Sequence, residues 1–348
     1  MGKITASAPS KVIIAGEHSV VYGGIALAAP LDNRKKCECK YEKVGERKGC
    51  IEVDDSVGDG KYLPDGSFED KDGWFRAKAK VIDHILKSEG KSIDALKIRM
   101  NFSKNKIPKG TGHSAATAAV LSLCLYGVFG ITPGKQKLFD AVQQFEEIAH
   151  GGRPSGIDAH TVISDGPQEF RKEFLRDGNV KFRFEGVKLD LPKGSVLLVI
   201  NTLKRGELPE TTGGQLDKFA KKAGVGKKPA EMSERERGKI TGPFDELVEK
   251  IKAHLSEDGN AAELGGLFNK NHELLKKYGV SEDGIEAARE ICLQHGAYGG
   301  KITGAGGRGG AIIALCRERD ADKILKKIRG SGMDGVKAVF STKGARIV

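Results

Sequence analysis

Thr303-Gly304-Ala305-Gly306-Gly307-Arg308-Gly309-Gly310-Ala311-Ile312-Ile313-Ala314-Leu315 carries the spacing G-x-G-x-x-G, and the element that the glycines lead into decides the fold class. In a dinucleotide-binding βαβ unit the glycines must open a helix, whose N-terminus takes the pyrophosphate. Here they run into Ala311–Leu315, a short apolar run without helical period, which reads as a buried strand. The doubly wound reading fails at that point. A glycine-lined approach to a ligand remains, or a bulge-rich hairpin.

Working outward, Lys11–Ala15, Lys36–Tyr41 and Leu96–Phe102 read as strands. Trp74, Ala77, Val81, Ile82, Ile85 and Leu86 recur at helical spacing up to Gly90. After the loop 104–112 come an Ala- and Leu-rich buried helix, Ser114–Val128, an amphipathic helix, Leu138–Ala149, and a second loop, Gly151–Asp158. The second half opens with the strand Ser195–Ile200 and continues with helices Phe244–Leu255 and Leu264–Tyr278 and strands Lys301–Thr303, Ala311–Leu315 and Val336–Phe340. Between them, 204–242 shifts to Gly, Lys, Glu and Pro and reads as mobile or as a solvated helix pair. Strands and helices mix without βαβα alternation, so the class is α+β with two lobes, expected at 1–193 and 194–348.

Composition sets the limits. The 348 residues are 39% hydrophobic and 30% charged with a balance of +11, which supports two packed domains or one large one and excludes disorder. No run approaches the ~18–20 apolar residues of a membrane span, and Met1–Thr5 lacks a signal-type run, so a cytoplasmic protein without membrane contact is expected. The six cysteines form neither a disulfide framework nor paired CxxC knuckles. Lysines are dispersed and aromatics are only 6%, which argues against a nucleic-acid partner.

Chemistry concentrates in the glycine loops. Pro108-Lys109-Gly110-Thr111-Gly112-His113-Ser114 precedes a helix, offering free N–H groups and a positive dipole end to a phosphate, while the Walker A pattern is absent. Gly152–Asp158 holds one acid, Asp158, at a rigid turn. Taken singly, Asp158 is a turn cap, Lys11 a surface lysine, Glu17 a turn acid and His18 a core histidine. Together with Glu147 and the glycine loops they read as a site.

Four segments, Lys11-Val-Ile-Ile-Ala-Gly-Glu-His-Ser-Val-Val-Tyr-Gly23, residues 107–119, Pro154-Ser-Gly-Ile-Asp158 and Lys301-Ile-Thr-Gly-Ala-Gly-Gly307, resemble the ordered motifs of the GHMP kinases. The first is most similar to the mevalonate kinase branch, and Asn269–Ser281 resembles its archaeal members. The resemblance implies an N-terminal ribosomal S5-like lobe and a C-terminal ferredoxin-like lobe. It also implies phosphoryl transfer from ATP to the 5-hydroxyl of mevalonate, with Mg²⁺, in a homodimer. Asp158 is then the base and Lys11 its partner; Glu17, His18 and Thr212 orient the acceptor. Lys109, Gly110, Thr111, Gly112, His113, Ser114, Ala115, Gly304 and Gly306 hold ATP, and Ser114 and Glu147 hold the metal. Helical periodicity turns Glu146 nearer the core, whereas the eleven-residue spacing to Asp158 selects Glu147. The phosphate loop departs from the family's GxGLGSSAA: it is two residues short if Ser114 matches the second serine, and His113 and Arg308 are atypical. Competing readings are a related kinase acting on phosphomevalonate, a sugar or homoserine, and a non-catalytic nucleotide- or RNA-binding protein.

Overall fold

The computed structural model describes residues 1–104, 110–152, 154–175, 179–204, 207–208, 210–256 and 259–348. Two long antiparallel strands, β1 (Gly2–Ala15) and β2 (Ile25–Lys43), anchor the first lobe. Their register slips between Pro9 and Ser10, where proline withholds an N–H from the ladder, and again between Ile13 and Ala15. The early part of β1 is small and polar, Thr5 to Ser10, so its strand character is hidden from pattern reading, which begins it only at Lys11. β3 (Cys50–Asp54), β4 (Gly60–Tyr62) and β5 (Phe68–Asp70) extend the sheet beyond β6 (Leu96–Phe102), which pairs with β2. A hairpin of β7 (Gln168–Phe174) and β8 (Val180–Gly186) pairs with the start of β2.

Helices α1 (Phe75–Ser88), α2 (His113–Val128) and α3 (Lys135–Ala149) cover this sheet, with α4 (Ile157–Ile163) beside β1. Every residue of α2 from Ala115 to Tyr126 is buried, as expected of a stretch that is small and apolar apart from Thr117 and Ser122.

The second lobe is built on β9 (Ser195–Asn201), β10 (Ala297–Thr303), β11 (Ala311–Arg317) and β12 (Asp334–Ala338), in the antiparallel order β10-β11-β9-β12. Helices α5 (Thr212–Lys222), α6 (Glu234–Ser256), α7 (Ala261–Lys277), α8 (Asp283–Gln294) and α9 (Glu318–Gly330) complete it. The strand directly after Gly310 confirms the rejection of a dinucleotide fold, and the architecture is two-lobed α+β. The 204–242 stretch contributes α5 and the first turns of α6. The chain end crosses back: β13 (Arg346–Ile347) pairs with β1, so the last residues belong to the first sheet. No helix among the described residues is long and apolar enough to cross a membrane.

The lobes share a core in which Val12, Ile14 and Leu27 meet Val199, Phe268 and Ile313. Thr303 staples them: its Oγ1 accepts from the Ile13 N–H and donates to the Ile13 carbonyl, both at 2.9 Å. That irregular register at Ile13 is what frees both backbone groups for a partner in the other lobe.

Candidate active site

Lys11 stands on β1, and its N–H donates to the Thr111 carbonyl at 2.8 Å, tying the strand to the loop before α2. Its side chain then crosses Gly112. A Cβ there would lie 2.7 Å from Lys11 Cγ, and Gly112 has φ +72°, so glycine is required on both counts. The Lys11 ammonium ends 2.7 Å from Asp158 Oδ1, with the two side chains 2% and 14% exposed. Asp158 lies in the first turn of α4, after Gly156 at φ +85°, rather than in the loop that the sequence pattern ends on it.

The phosphate-loop candidates gather at the start of α2. His113 is its first residue and Ser114 its second; the Ala116 N–H is the first to find a carbonyl within the turn, that of Gly112 at 2.9 Å. The N–H groups before it point along the helix axis, the arrangement that suits an anion. Gly110 abuts the other glycine loop: a Cβ on Gly304 would stand 3.3 Å from the Gly110 carbonyl oxygen. Lys109 lies outside the described residues. Arg308 turns away from this junction. Its N–H is held by Glu210 Oε2 at 2.9 Å, and its Nε donates to the Leu208 carbonyl at 3.0 Å.

The two adjacent glutamates of α3 take opposite faces, and the one expected at the metal is not the buried one. Glu147 faces outward, 46% exposed, and is ion-paired with Lys80. Glu146 is the inward acid, 1% exposed, and neither of its oxygens makes a well-formed hydrogen bond. The nearest group is His150, whose Nε2 lies 3.0 Å from Glu146 Oε2 and 3.9 Å from Asp158 Oδ2. The helical period, which turns Glu146 inward, agrees with this burial; between α3 and Asp158 the chain turns through Gly151 and Gly152, both at positive φ. Burial pulls the His150 imidazole down, but the neighbouring Glu146 and Asp158 carboxylates hold it above its ordinary value. A buried carboxylate with unmatched oxygens beside the phosphate loop fits a divalent cation, with Ser114 at the helix start as a second oxygen.

Glu17 and His18 are both buried and differently used. Glu17 is ion-paired with Lys301 of β10, to which the sequence pattern assigns no role, while its Oε2 has no partner. Burial pushes the Glu17 carboxyl up despite Lys301, and pushes the Lys301 ammonium down. His18 adopts φ +60°, stacks on Phe219 of α5 at 4.9 Å and approaches the Ala305 carbonyl with Nε2 at 2.9 Å. Burial lowers its pKa to about 4. Thr212 begins α5, the helix that carries Phe219, and makes no hydrogen bond to Lys11, Glu17, His18 or Asp158 among the described residues.

Lys172 is a further cation, one that no sequence motif singles out. It lies on β7, on the same strand face as Phe170, which packs with Ile13 and Ile157. Its ammonium sits 5.4 Å over the Phe174 ring, and no carboxylate among the described residues pairs with it. Burial lowers its pKa.

Two carboxylates, a lysine and two glycine loops at a helix N-terminus, set between two lobes, describe a kinase of the GHMP type. The C-terminal model of that family, "GHMP kinases C terminal", matches residues 234–332. Similar solved structures include mevalonate kinase from L. major in complex with R-mevalonate (TM-score 0.75, 21% identity, 99% of this chain and 97% of that one). Lactococcus lactis galactokinase with galactose is also similar (TM-score 0.73, 16% identity, 99% and 95%). Mevalonate kinase of Pyrococcus furiosus is 30% identical over 99% of this chain and 98% of its own, and that of Aeropyrum pernix 27% identical over 98% and 97%. The chain belongs to the mevalonate kinase family.

Proposed function

We propose that this chain is an ATP-dependent kinase that phosphorylates the 5-hydroxyl of mevalonate. The observation that carries the reading is the Lys11–Asp158 pair, held at 2.7 Å where the two glycine loops and the ends of α3 and α4 meet. The matching relatives carry the choice of acceptor.

Phosphoryl transfer needs alignment and charge neutralisation more than covalent chemistry. The first-turn N–H groups of α2 receive the phosphates. Lys11 occupies Asp158 Oδ1, leaving Oδ2 to take the acceptor's hydroxyl proton. Mg²⁺, held by Glu146 and Ser114, supplies charge neutralisation of the phosphates when bound. His18 and Glu17 form the acceptor wall, stiffened by Phe219 and Lys301, with Thr212 at the start of α5. Lys172, a half-buried cation with no carboxylate partner among the described residues, takes the acceptor's carboxylate. Homodimer formation and cytoplasmic residence complete this reading.

The test is ADP release on a panel of mevalonate, phosphomevalonate, galactose and homoserine. Mevalonate should exceed the others by at least about tenfold in kcat/KM. A better rate on another acceptor transfers the assignment to that substrate, and light scattering decides the dimer.

A further inference from the structure

Glu146, His150 and Asp158 come from two different helices, α3 with its C-terminal cap and the first turn of α4. One donor atom from each lies within 4.8 Å of the others. Two features set this apart from an ordinary acidic cluster. One donor is an imidazole nitrogen, and the Glu146 carboxylate is 1% exposed with neither oxygen in a well-formed hydrogen bond. A buried carboxylate normally satisfies its lone pairs. Among the described residues, the one charged partner of this carboxylate is His150, at 3.0 Å.

The spacing suits a small ion. With metal–ligand bonds of about 2.1 Å, donors stand about 3.0 Å apart on an octahedral edge and about 3.4 Å on a tetrahedral one. Glu146 Oε2 to His150 Nε2 is 3.0 Å, His150 Nε2 to Asp158 Oδ2 is 3.9 Å and the whole set lies within 4.8 Å, so binding an ion requires the side chains to draw together. Lys11 does not block it, because its ammonium is on Oδ1, the other oxygen of Asp158. Glu147 and Lys80 pair on the outer surface and leave the cluster to these donors.

We propose that Glu146, His150 and Asp158 form a site for a transition-metal dication such as Zn²⁺, Co²⁺ or Mn²⁺, filled without nucleotide. Mg²⁺ prefers oxygen and keeps its waters, whereas two carboxylates with one imidazole suit the borderline metals. The consequence for catalysis rests on the proposed function: an ion here occupies Asp158 Oδ2 and Glu146 together, so it inhibits the kinase rather than serving it.

Co²⁺ chloride titrated into the nucleotide-free protein is the direct probe, read by visible d–d absorption and by calorimetry. The expected result is one Co²⁺ per chain, with affinity falling at least about tenfold in both His150→Ala and Glu146→Gln and unchanged in Glu147→Gln. Thermal melting shows which variants are folded, and the two independent ligand variants guard against one failing to fold. No binding without nucleotide, or equal binding in folded variants, overturns the site. Zn²⁺ should then slow turnover at saturating MgATP; a folded enzyme that binds Co²⁺ yet is indifferent to Zn²⁺ overturns the inhibitory role. Because the titration needs no turnover, a protein that binds Co²⁺ but phosphorylates nothing would fail the kinase reading alone.

Discussion

The Lys11 ammonium and Asp158 Oδ1 meet at 2.7 Å although the residues are far apart in sequence and stand on a strand and a helix respectively. Replacing Asp158 with asparagine keeps the shape and removes the proton acceptor. The expected loss in kcat is about 10²–10⁴-fold, with ATP affinity within about threefold of the parent. Near-normal turnover in Asp158→Asn would take the base role away from this residue.

The exchange of Glu147 for Glu146 gives a paired prediction. Glu146→Gln should raise the Mg²⁺ concentration needed for half-maximal rate by about tenfold or more, as expected when one of few protein oxygens is lost. Glu147→Gln, which breaks an exposed ion pair with Lys80, should shift it little and cost less than about 1 kcal/mol of stability. Ser114→Ala is the companion measurement: an unchanged Mg²⁺ requirement there would place the second oxygen elsewhere.

Lys172→Met should raise KM for mevalonate by about 10–100-fold, the worth of a charge-assisted contact, while leaving KM for ATP near the parent value. Lys172→Arg should recover part of the loss. If both substrates suffer equally, Lys172 supports the lobe instead of the acceptor.

His18 makes stability depend on pH. Burial lowers its pKa from 6.5 to about 4, so the unfolded chain takes up a proton in a range where the folded chain refuses one. Its contribution is fully present above about pH 6.5 and is lost as pH falls toward about 4, up to about 3 kcal/mol. Urea midpoints at pH 7 and pH 5 should therefore diverge less in His18→Asn than in the parent, asparagine being chosen because it tolerates positive φ. Parallel curves for the two proteins would contradict the buried, neutral imidazole.

How much of this is legible in sequence depends on whether the signal is local. Leu96–Phe102 and the Ala-rich helix from Ser114 carry their periods in plain view, and the structure returns them within a residue. The strand at 311 is decisive against a dinucleotide fold because the apolar residues after the glycines suffice to identify it. Lys301 and Lys172 cannot be found that way: each looks like any surface lysine until the fold buries the first fully and the second in part. Glu146 is visible as an inward helical position, yet the eleven-residue spacing to Asp158 passes over it, because a residue count carries no information about which face of α3 a side chain takes. His150 carries no signal beyond its place four residues after Glu146.

Glu17 and Lys301 join the turn after β1 to β10 in the second lobe, both fully buried. Burial opposes the charge on each, and each offsets the other's cost, so removing one should hurt more than removing both. Lys301→Met alone should cost about 3–5 kcal/mol, since it strands an acid whose Oε2 already lacks a partner. Glu17→Gln combined with Lys301→Met should recover at least about 1–2 kcal/mol relative to the sum of the single changes. Turnover should not recover with it, because Glu17 also shapes the wall beside His18. A double variant that regains both stability and full activity would reduce the pair to a structural tie between the lobes, and strict additivity in urea unfolding would deny that the two charges interact at all.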